Sequence, residues 1–427
     1  MSGLNNLDKL LDGVEVEWKT VSEIFHLRNG YTPSKSNDEY WEGGTIPWFR
    51  MEDIRENGQV LADSLQKVSV SALKGGKLFP ANSIIISTSA TIGEHAIITV
   101  PHLANQRFTS MTLKSDHCEW FDAKFIFYYC FLLAEWCKKN TSISSFPSVD
   151  MSRFKRFLFP ILCPNDSKKS LEIQAEIVRV LDTFTELAAE LAAELAARKK
   201  QYNYYRDRLL SFEEMGGEVE WKALGDIGEF IRGKRFTKAD YADEGINVIH
   251  YGEIYTRYGV WADHAFSKVR ADMAGSLRYA EPGDVVLTDV GETVDDVGKA
   301  VAWVGDGKVA IHDHCYAFRH SMNPKFVSYC MQTQAFIAKK GKYVARTKVN
   351  TLLINGFSKI EIPVPYPDDP ERSLAEQTRI VAILDKFDAL TNSISEGLPR
   401  EIELRRKQYE YYRDLLLSFP KPEEVAA

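Results

Sequence analysis

Apolar positions follow two different periods along the chain. Through the first variable stretch, short apolar runs alternate with turn signals: IPWFRMEDI (Ile46–Ile54) ahead of Glu56-Asn57-Gly58, SIIIST (Ser83–Thr88), HAIITV (His95–Val100) and TSMTLK (Thr109–Lys114). Runs of this length bounded by turn residues predict strands. A helix-like stretch follows at Asp122–Lys139, with a counterpart at Pro324–Lys340, so each variable segment reads as α+β. Proline clusters (Pro160 and Pro164; Pro363, Pro365, Pro367 and Pro370) then close each segment, because proline fixes φ and ends regular pairing.

From Ile177 the period changes. Ile177, Leu181, Phe184, Ala188, Leu191, Leu195, Arg198, Tyr202, Tyr205, Leu209 and Phe212 keep a 4-3 alternation, a heptad seam whose apolarity breaks only at Arg198. A helix of about 40 residues is predicted, ~60 Å long at ~1.5 Å per residue and so longer than one ~34 Å turn of DNA. A second seam runs Ile380, Leu384, Phe387, Thr391, Ile394, Leu398, then steps by four to Ile402 before Arg405, Tyr409, Tyr412, Leu416 and Phe419. That stutter falls at Gly397-Leu398-Pro399 and predicts a break or kink there. Two amphipathic helices of this kind must bury their seams against each other or against partners. Antiparallel pairing would set the two variable domains at opposite ends.

The two halves are copies. EVEWK occurs at Glu15–Lys19 and again at Glu218–Lys222, 203 residues on, and LEIQAEIVRVLDTF (Leu171–Phe184) matches LAEQTRIVAILDKF (Leu374–Phe387) at the same spacing. RKKQYNYYRDRLLSF (Arg198–Phe212) matches RRKQYEYYRDLLLSF (Arg405–Phe419) at 207, so the second copy holds four extra residues. This period is too long for a solenoid and describes a duplicated domain plus connector. Between the matched blocks, the near-identical tetrads TELA, AELA, AELA (Thr185–Ala196) suit only a helix, with Glu186, Glu190 and Glu194 reading as a solvated stripe. Adding one tetrad lengthens such a rod by ~6 Å and turns it by ~40°, the behaviour of a ruler.

Composition places the 427-residue chain among globular proteins, with 44% apolar and 26% charged residues. Six cysteines form no C-x-x-C pair and read as core thiols in a reducing compartment. The opening MSGLNNLDKLLDG lacks the pattern of a signal peptide and nothing downstream reaches ~18 apolar residues in a row, so a chain that is neither exported nor membrane-spanning, in the cytoplasm, is expected. A net charge of −7 argues against coating nucleic acid through a basic surface, though it leaves room for a local basic groove.

Several segments approach catalytic motifs without completing one. The only Asn-Pro, Asn323-Pro324, is followed by Lys325 and makes no N-methyltransferase tetrad. Gly291–Lys299 approaches a P-loop with the wrong glycine spacing and with Ala300 in place of the magnesium-binding hydroxyl. His312 and His314 would share one face of a strand and read as a polar or DNA-facing pair, since no second ligand cluster makes them a metal site. The acidic loop Asp289, Glu292, Asp295, Asp296 fits no EF-hand spacing and reads as solvated. Pro367-Asp368-Asp369 lacks the E-x-K strand of a nuclease. No catalytic residue, metal site or cofactor is therefore expected in this chain.

Binding remains. Local basic runs interleaved with glycine and aromatics, as phosphate-contacting loops often are, supply the candidates Arg232, Lys234, Arg235 and Lys238, then Lys342, Arg346 and Lys348 from the run Lys339–Lys348. The first half offers Arg28, Tyr31, Lys35, Arg50, Gln106, Arg107, Arg153 and Lys155. His312 and His314 complete the DNA-facing set.

The two-fold plan, IPWFRMEDI with its relative INVIHYGEI (Ile246–Ile254), and the paired blocks each ending in KQY-x-YYRD-x-LLSF resemble the specificity subunit of type I restriction-modification systems. The alanine-rich tetrads look like those of the IC subfamily. The resemblance implies two α+β target recognition domains (1–165 and 215–370) and two conserved helical spacers (166–214 and 371–427) forming an antiparallel coiled coil. It implies a non-catalytic subunit that reads a split, asymmetric site in double-stranded DNA. Two modification subunits would dock on the helices, with Tyr202, Tyr205, Arg206, Tyr409, Tyr412 and Arg413 as candidate contacts, bind S-adenosylmethionine and methylate adenine; restriction subunits would hydrolyse ATP with Mg2+, translocate DNA and cut it. The rival reading is a coiled-coil adaptor joining two protein-binding modules, which needs no DNA affinity.

Overall fold

The computed structural model describes residues 13–142, 147–213, 218–346, 348–393 and 396–420. Ile394 of the predicted seam, Thr347 of the second basic run and most of the N-terminal segment read above lie outside them. The chain divides into two compact units: residues up to Ala188 together with those from Arg405 onward, and residues Ala189–Leu404.

Each unit is α+β. In the first, a five-stranded sheet has the order Phe25–Asn29, Phe108–Leu113, Ser83–Ser87, His95–Ile98, Val60–Leu61, and the helix Ala123–Lys139 packs on it. The second unit repeats the order with Gly228–Arg232, Cys315–His320, Val285–Thr288, Ala300–Trp303 and Trp261–Ala262. The EVEWK copies become strands, Val16–Thr20 and Val219–Ala223, each antiparallel to the last strand of its segment, Leu158–Leu162 and Glu361–Pro365. Pro160 and Pro363 lie inside those strands, paired with Trp18 and Trp221, so they do not end regular pairing as expected. A two-stranded ladder leaves one side without partners, where a missing N–H costs nothing.

Three other expectations change. IPWFRMEDI is a strand only over Ile46–Phe49, after which Met51–Asn57 is helical. The buried Asp53 carboxylate starts that helix, accepting from the Arg50 amide (2.6 Å) and from the Leu65 amide (2.6 Å). The stretch Pro324–Lys340 is two helices, Pro324–Cys330 and Gln334–Lys340, because the Thr333 hydroxyl accepts from the Phe336 amide and caps a new start. The stutter does break the second spacer, but upstream of the proline: Pro370–Asn392 ends at Ser393, and Gly397–Leu416 begins with Pro399 inside its first turn. Proline is tolerated in a first turn, so the break belongs to Gly397 at φ +75°.

The first spacer is one helix of 45 residues, Ser167–Ser211. Within the first unit Ile173, Ile177 and Leu181 are fully buried with Phe125, Tyr129 and Leu133 of the domain helix and Leu416 and Leu417 of the chain end. Burial of such side chains contributes about 1.5–3 kcal/mol each. Within the second unit Tyr202 and Leu210 share a core with Ile380, Leu384, Phe326 and Tyr329. Glu186, Glu190 and Glu194 are exposed, as a solvated stripe should be.

The duplication extends to a joint that the sequence did not disclose. Asp182 accepts from Lys124 Nζ (2.6 Å) and from the Tyr128 hydroxyl (2.7 Å); Asp385 accepts from Lys325 Nζ (2.9 Å) and from the Tyr329 hydroxyl (2.7 Å). Next to each joint an aromatic pair stacks, Phe184 on Tyr412 (5.4 Å between centroids) and Phe387 on Tyr205 (5.8 Å). Each domain is thereby fixed to spacer helix by the same chemistry.

Candidate nucleic-acid interface

In each domain three loops meet at one end of the five-stranded sheet. In the first, the strand ending at Asn29, the strand beginning at Phe108 and the strand ending at Ser87 share that end. Gly30 N donates to Phe108 O (2.9 Å), Tyr31 N to Ala104 O (2.8 Å), Thr88 N to Arg107 O (3.0 Å) and Val149 N to Thr88 O (2.9 Å). The second domain repeats every bond: Gly233 N to Cys315 O (2.9 Å), Lys234 N to Ile311 O (3.0 Å), Asp289 N to His314 O (3.1 Å) and Leu352 N to Asp289 O (2.7 Å). The crossing is so close that only glycine fits, since a Cβ on Gly30 would sit 2.1 Å from Asn105 O and one on Gly233 2.1 Å from His312 O. Each frame is extended by the smaller sheet: Asn105 N donates to Phe49 O (3.0 Å) and His312 N to Ile249 O (3.1 Å), which brings Arg50 and His250 beside their loops.

The frames carry different side chains. Asn29 Oδ1 accepts from Thr109 (3.1 Å), whose hydroxyl also meets Thr88 (3.1 Å), and Arg107 is exposed. In the second domain the corresponding positions hold Arg232, Tyr316, Asp289 and His314. The buried Asp289 carboxylate accepts from Arg232 Nη2 (3.2 Å) and from His314 Nδ1 (2.9 Å). Arg232 also donates through Nε to Asp313 O (3.1 Å), its guanidinium 5.7 Å from the Tyr316 ring centroid.

Of the sequence candidates, Tyr31, Gln106 and Arg107 gather at the first frame and Arg232, Lys234 and His314 at the second. Gln106 Oε1 accepts from the Thr32 hydroxyl. The Tyr31 hydroxyl is engaged with Ala72 O (2.9 Å) and Lys74 N (3.0 Å), so its ring is a support for the loop. Lys35, Arg235 and Lys238 are exposed further along the same loops. Arg346 and Lys348 are exposed on the connection between the paired strands Val344–Ala345 and Asn350–Leu352, the latter reaching Asp289 through Leu352; Lys342 is exposed just before them.

Other candidates, Arg50 and Arg153 beside the first frame and the rest apart from it, are engaged by neighbouring groups or buried. Arg28 is half-buried, donating to Lys77 O (2.6 Å) and lying 4.3 Å from the Phe79 ring centroid. Arg50 stacks toward Trp48 and pairs with Glu52 (3.8 Å). Lys155 is exposed, but its carbonyl accepts from Ser22 N, ahead of the strand Phe25–Asn29 and away from the loop end. Arg153 pairs with Asp150 (3.8 Å) on the short helix before it. His312 and His314 lie in a turn between Val309–Ile311 and Cys315–His320, not on a strand. His312 is buried against Phe236 (4.9 Å) and His250 (4.5 Å), burial lowers its pKa to about 4, and its Nδ1 accepts from the His314 amide (3.2 Å). It is therefore a neutral packing residue, and only His314 faces outward. Lys340 of the second basic run is likewise buried, donating to Asp295 O (2.7 Å), with its pKa lowered to about 8 by burial.

The acidic loop is not uniformly solvated either, since Asp289 is 4% exposed. Among the described residues no group of three or more His, Cys, Asp or Glu is arranged to hold a metal ion. Asp289, His250 and Thr88 were missed as site residues because the repeat spacing drifts between the domains; only the shared backbone bonds align them.

On the helices, Tyr202 and Arg206 are 4% exposed. Burial raises the Tyr202 pKa, and Arg206 pairs with Asp207 (2.9 Å). Tyr205 and Tyr412 stack on Phe387 and Phe184, Tyr409 is raised to about 12 by burial, and Arg413 lies over Phe131 (5.2 Å). Each of the six makes these contacts within its own unit. The neighbouring Tyr204 (56% exposed) and Tyr411 (64%) point outward in both copies.

Residues 13–198 and 217–404 match the family model described as the type I restriction modification DNA specificity domain, one copy per half. The chain belongs to the type I restriction-modification specificity subunits. It is 46% identical over 403 residues to the EcoprrI specificity subunit of Escherichia coli, covering 93% of both chains. It is 34% identical to the EcoR124I/EcoR124II specificity subunit of Escherichia coli, covering 100% of both. A chain solved in work on complex assembly and conformational transition of the type I R-M system superposes with a TM-score of 0.63 at 14% identity, covering 94% of this chain and 97% of that one, which shows a shared fold. Among the described residues no helix is long and apolar enough to cross a membrane.

Proposed function

We propose that this specificity subunit reads a bipartite, asymmetric site in double-stranded DNA, one half through each α+β domain, with the spacer helices setting the gap between the halves. One observation carries the reading: two domains keep the same loop frame, bond for bond, and place different polar side chains on it. A frame that fixes the backbone and varies the chemistry suits two modules reading different base sequences. An adaptor binding two protein partners would not need exposed Arg107, Lys234 and Arg232 around such frames.

The chain supplies specificity without catalysis. Two modification subunits would dock on the spacers, where Tyr204 and Tyr411 offer equivalent exposed aromatics, and would bring S-adenosylmethionine; restriction subunits would bring the ATP- and Mg2+-dependent steps, all in the cytoplasm of a prokaryote. The domain limits 1–165 and 215–370, with spacers 166–214 and 371–427, follow from this reading, and the tetrads fit an IC-like subfamily.

The test is to co-express the chain with a cognate modification subunit and map N6-methyladenine genome-wide. A two-part motif with a fixed gap, absent when the chain is omitted, is expected. Deleting Ala189–Ala192 should change the gap and leave both half-sites as they were; no chain-dependent motif despite an intact complex would return the adaptor reading.

A further inference from the structure

Within the second domain, one buried acid stands behind two exposed donors. The Asp289 side chain is 5% exposed, whereas those of Arg232 and His314 are 53% and 41% exposed. Its backbone is locked on both sides, N–H to His314 O (3.1 Å) and carbonyl to Leu352 N (2.7 Å), so the buried carboxylate starts from a fixed point in the loop frame. His314 Nδ1 is committed to this carboxylate at 2.9 Å, which fixes the ring with Nε2 outward. Arg232 is held at two points, Nη2 on Asp289 and Nε on the Asp313 carbonyl, and this leaves one edge of the planar fork to present.

We infer that Asp289 is a positioning residue for DNA reading: it orients Arg232 and His314 as the pair that selects bases in the half-site of the second domain. This rests on the function proposed above. The comparison inside the molecule supports it, because the matching positions of the first domain are Asn29, Thr88 and Arg107, equally polar and chemically different. Structural necessity is met at Gly30 and Gly233, which are the same; the three positions that differ are those at which two sequence readers must differ. An arginine held in plane suits the acceptor pair on a guanine edge, and an imidazole whose Nδ1–H is given to Asp289 turns an accepting Nε2 outward, which suits the amino group of an adjacent adenine or cytosine.

The experiment uses the complex with its modification subunits, acting on duplexes randomised across both half-sites, with methylated molecules sequenced. Asp289→Asn removes the charge and offers the donors a competing amide. The expected result is a loss of discrimination of roughly 5- to 100-fold at one or two positions of a single half-site, with the other half-site unchanged. Arg232→Lys, which keeps the charge and loses the fork, and His314→Gln, which keeps an outward polar group, are surface changes that leave folding intact; each should relax positions within that same set. Uniformly lower methylation with an unchanged motif would make Asp289 merely structural and overturn the inference, as would altered preference in both half-sites. If the wild-type complex showed no chain-dependent motif, the underlying function would fail first; a wild-type motif retained by all three variants would overturn this inference by itself.

Discussion

Replacing Tyr128 by Phe, and separately Tyr329 by Phe, tests whether the duplicated joint holds each domain to its spacer. Each hydroxyl donates to an aspartate at 2.7 Å, and each tyrosine is shifted to a higher pKa chiefly by burial, so neither ionises in the working range. A hydrogen bond to a charged acceptor is worth about 1.5–3 kcal/mol. Asp182 and Asp385 keep 26% and 31% of their side chains exposed and retain their lysine partners, which reduces the expected loss to about 1–2 kcal/mol. Because the chain has two units, one global melting point would blur the effect. Amide exchange read by mass spectrometry resolves it, and at 1.4 kcal/mol per tenfold the helix Ala123–Lys139 should exchange about 5- to 30-fold faster in Tyr128→Phe. In Tyr329→Phe the same change should appear at Pro324–Cys330 and Pro370–Asn392 and leave Ala123–Lys139 as in wild type. Unchanged protection in both variants, or acceleration in both units from a single change, would refute the reasoning.

Gly397→Ala should destabilise the start of the helix Gly397–Leu416 by about 1–3 kcal/mol, since φ is +75° and a Cβ would lie 2.4 Å from Ala389 O; faster exchange confined to its first turns checks this. Gly233→Ala should open the second loop frame and abolish reading of one half-site while the other is retained, measured by methylation mapping of the complex. Acid should weaken both units: burial lowers His95, His102, His312 and His320 to about 4 from an ordinary value near 6.5, so the neutral forms are favoured in the fold. The unfolded chain then binds more protons between those values, so stability is fully present above about 6.5 and falls as pH drops toward 4. Replacing His320 by Phe should flatten that slope in urea titrations across the same window.

The duplication, the α+β character of each half, the long helix with its solvated glutamates and the existence of a break in the second spacer are all legible in the order of residues alone. Those properties are written in periodicity and in near-identical blocks, which a single chain displays without reference to contacts. Tertiary structure decided where the break falls, because a positive φ at Gly397 is a property of the chain path and Pro399 fits a first turn. It also decided which polar residues are free. His312 and Lys340 look available in sequence and are enclosed by neighbours far away along the chain; Asp289 looks solvated and is the buried anchor of Arg232 and His314. Burial and hydrogen-bond partnership depend on residues brought together by sheet register, and register between the two domains drifts in spacing while their backbone bonds stay the same.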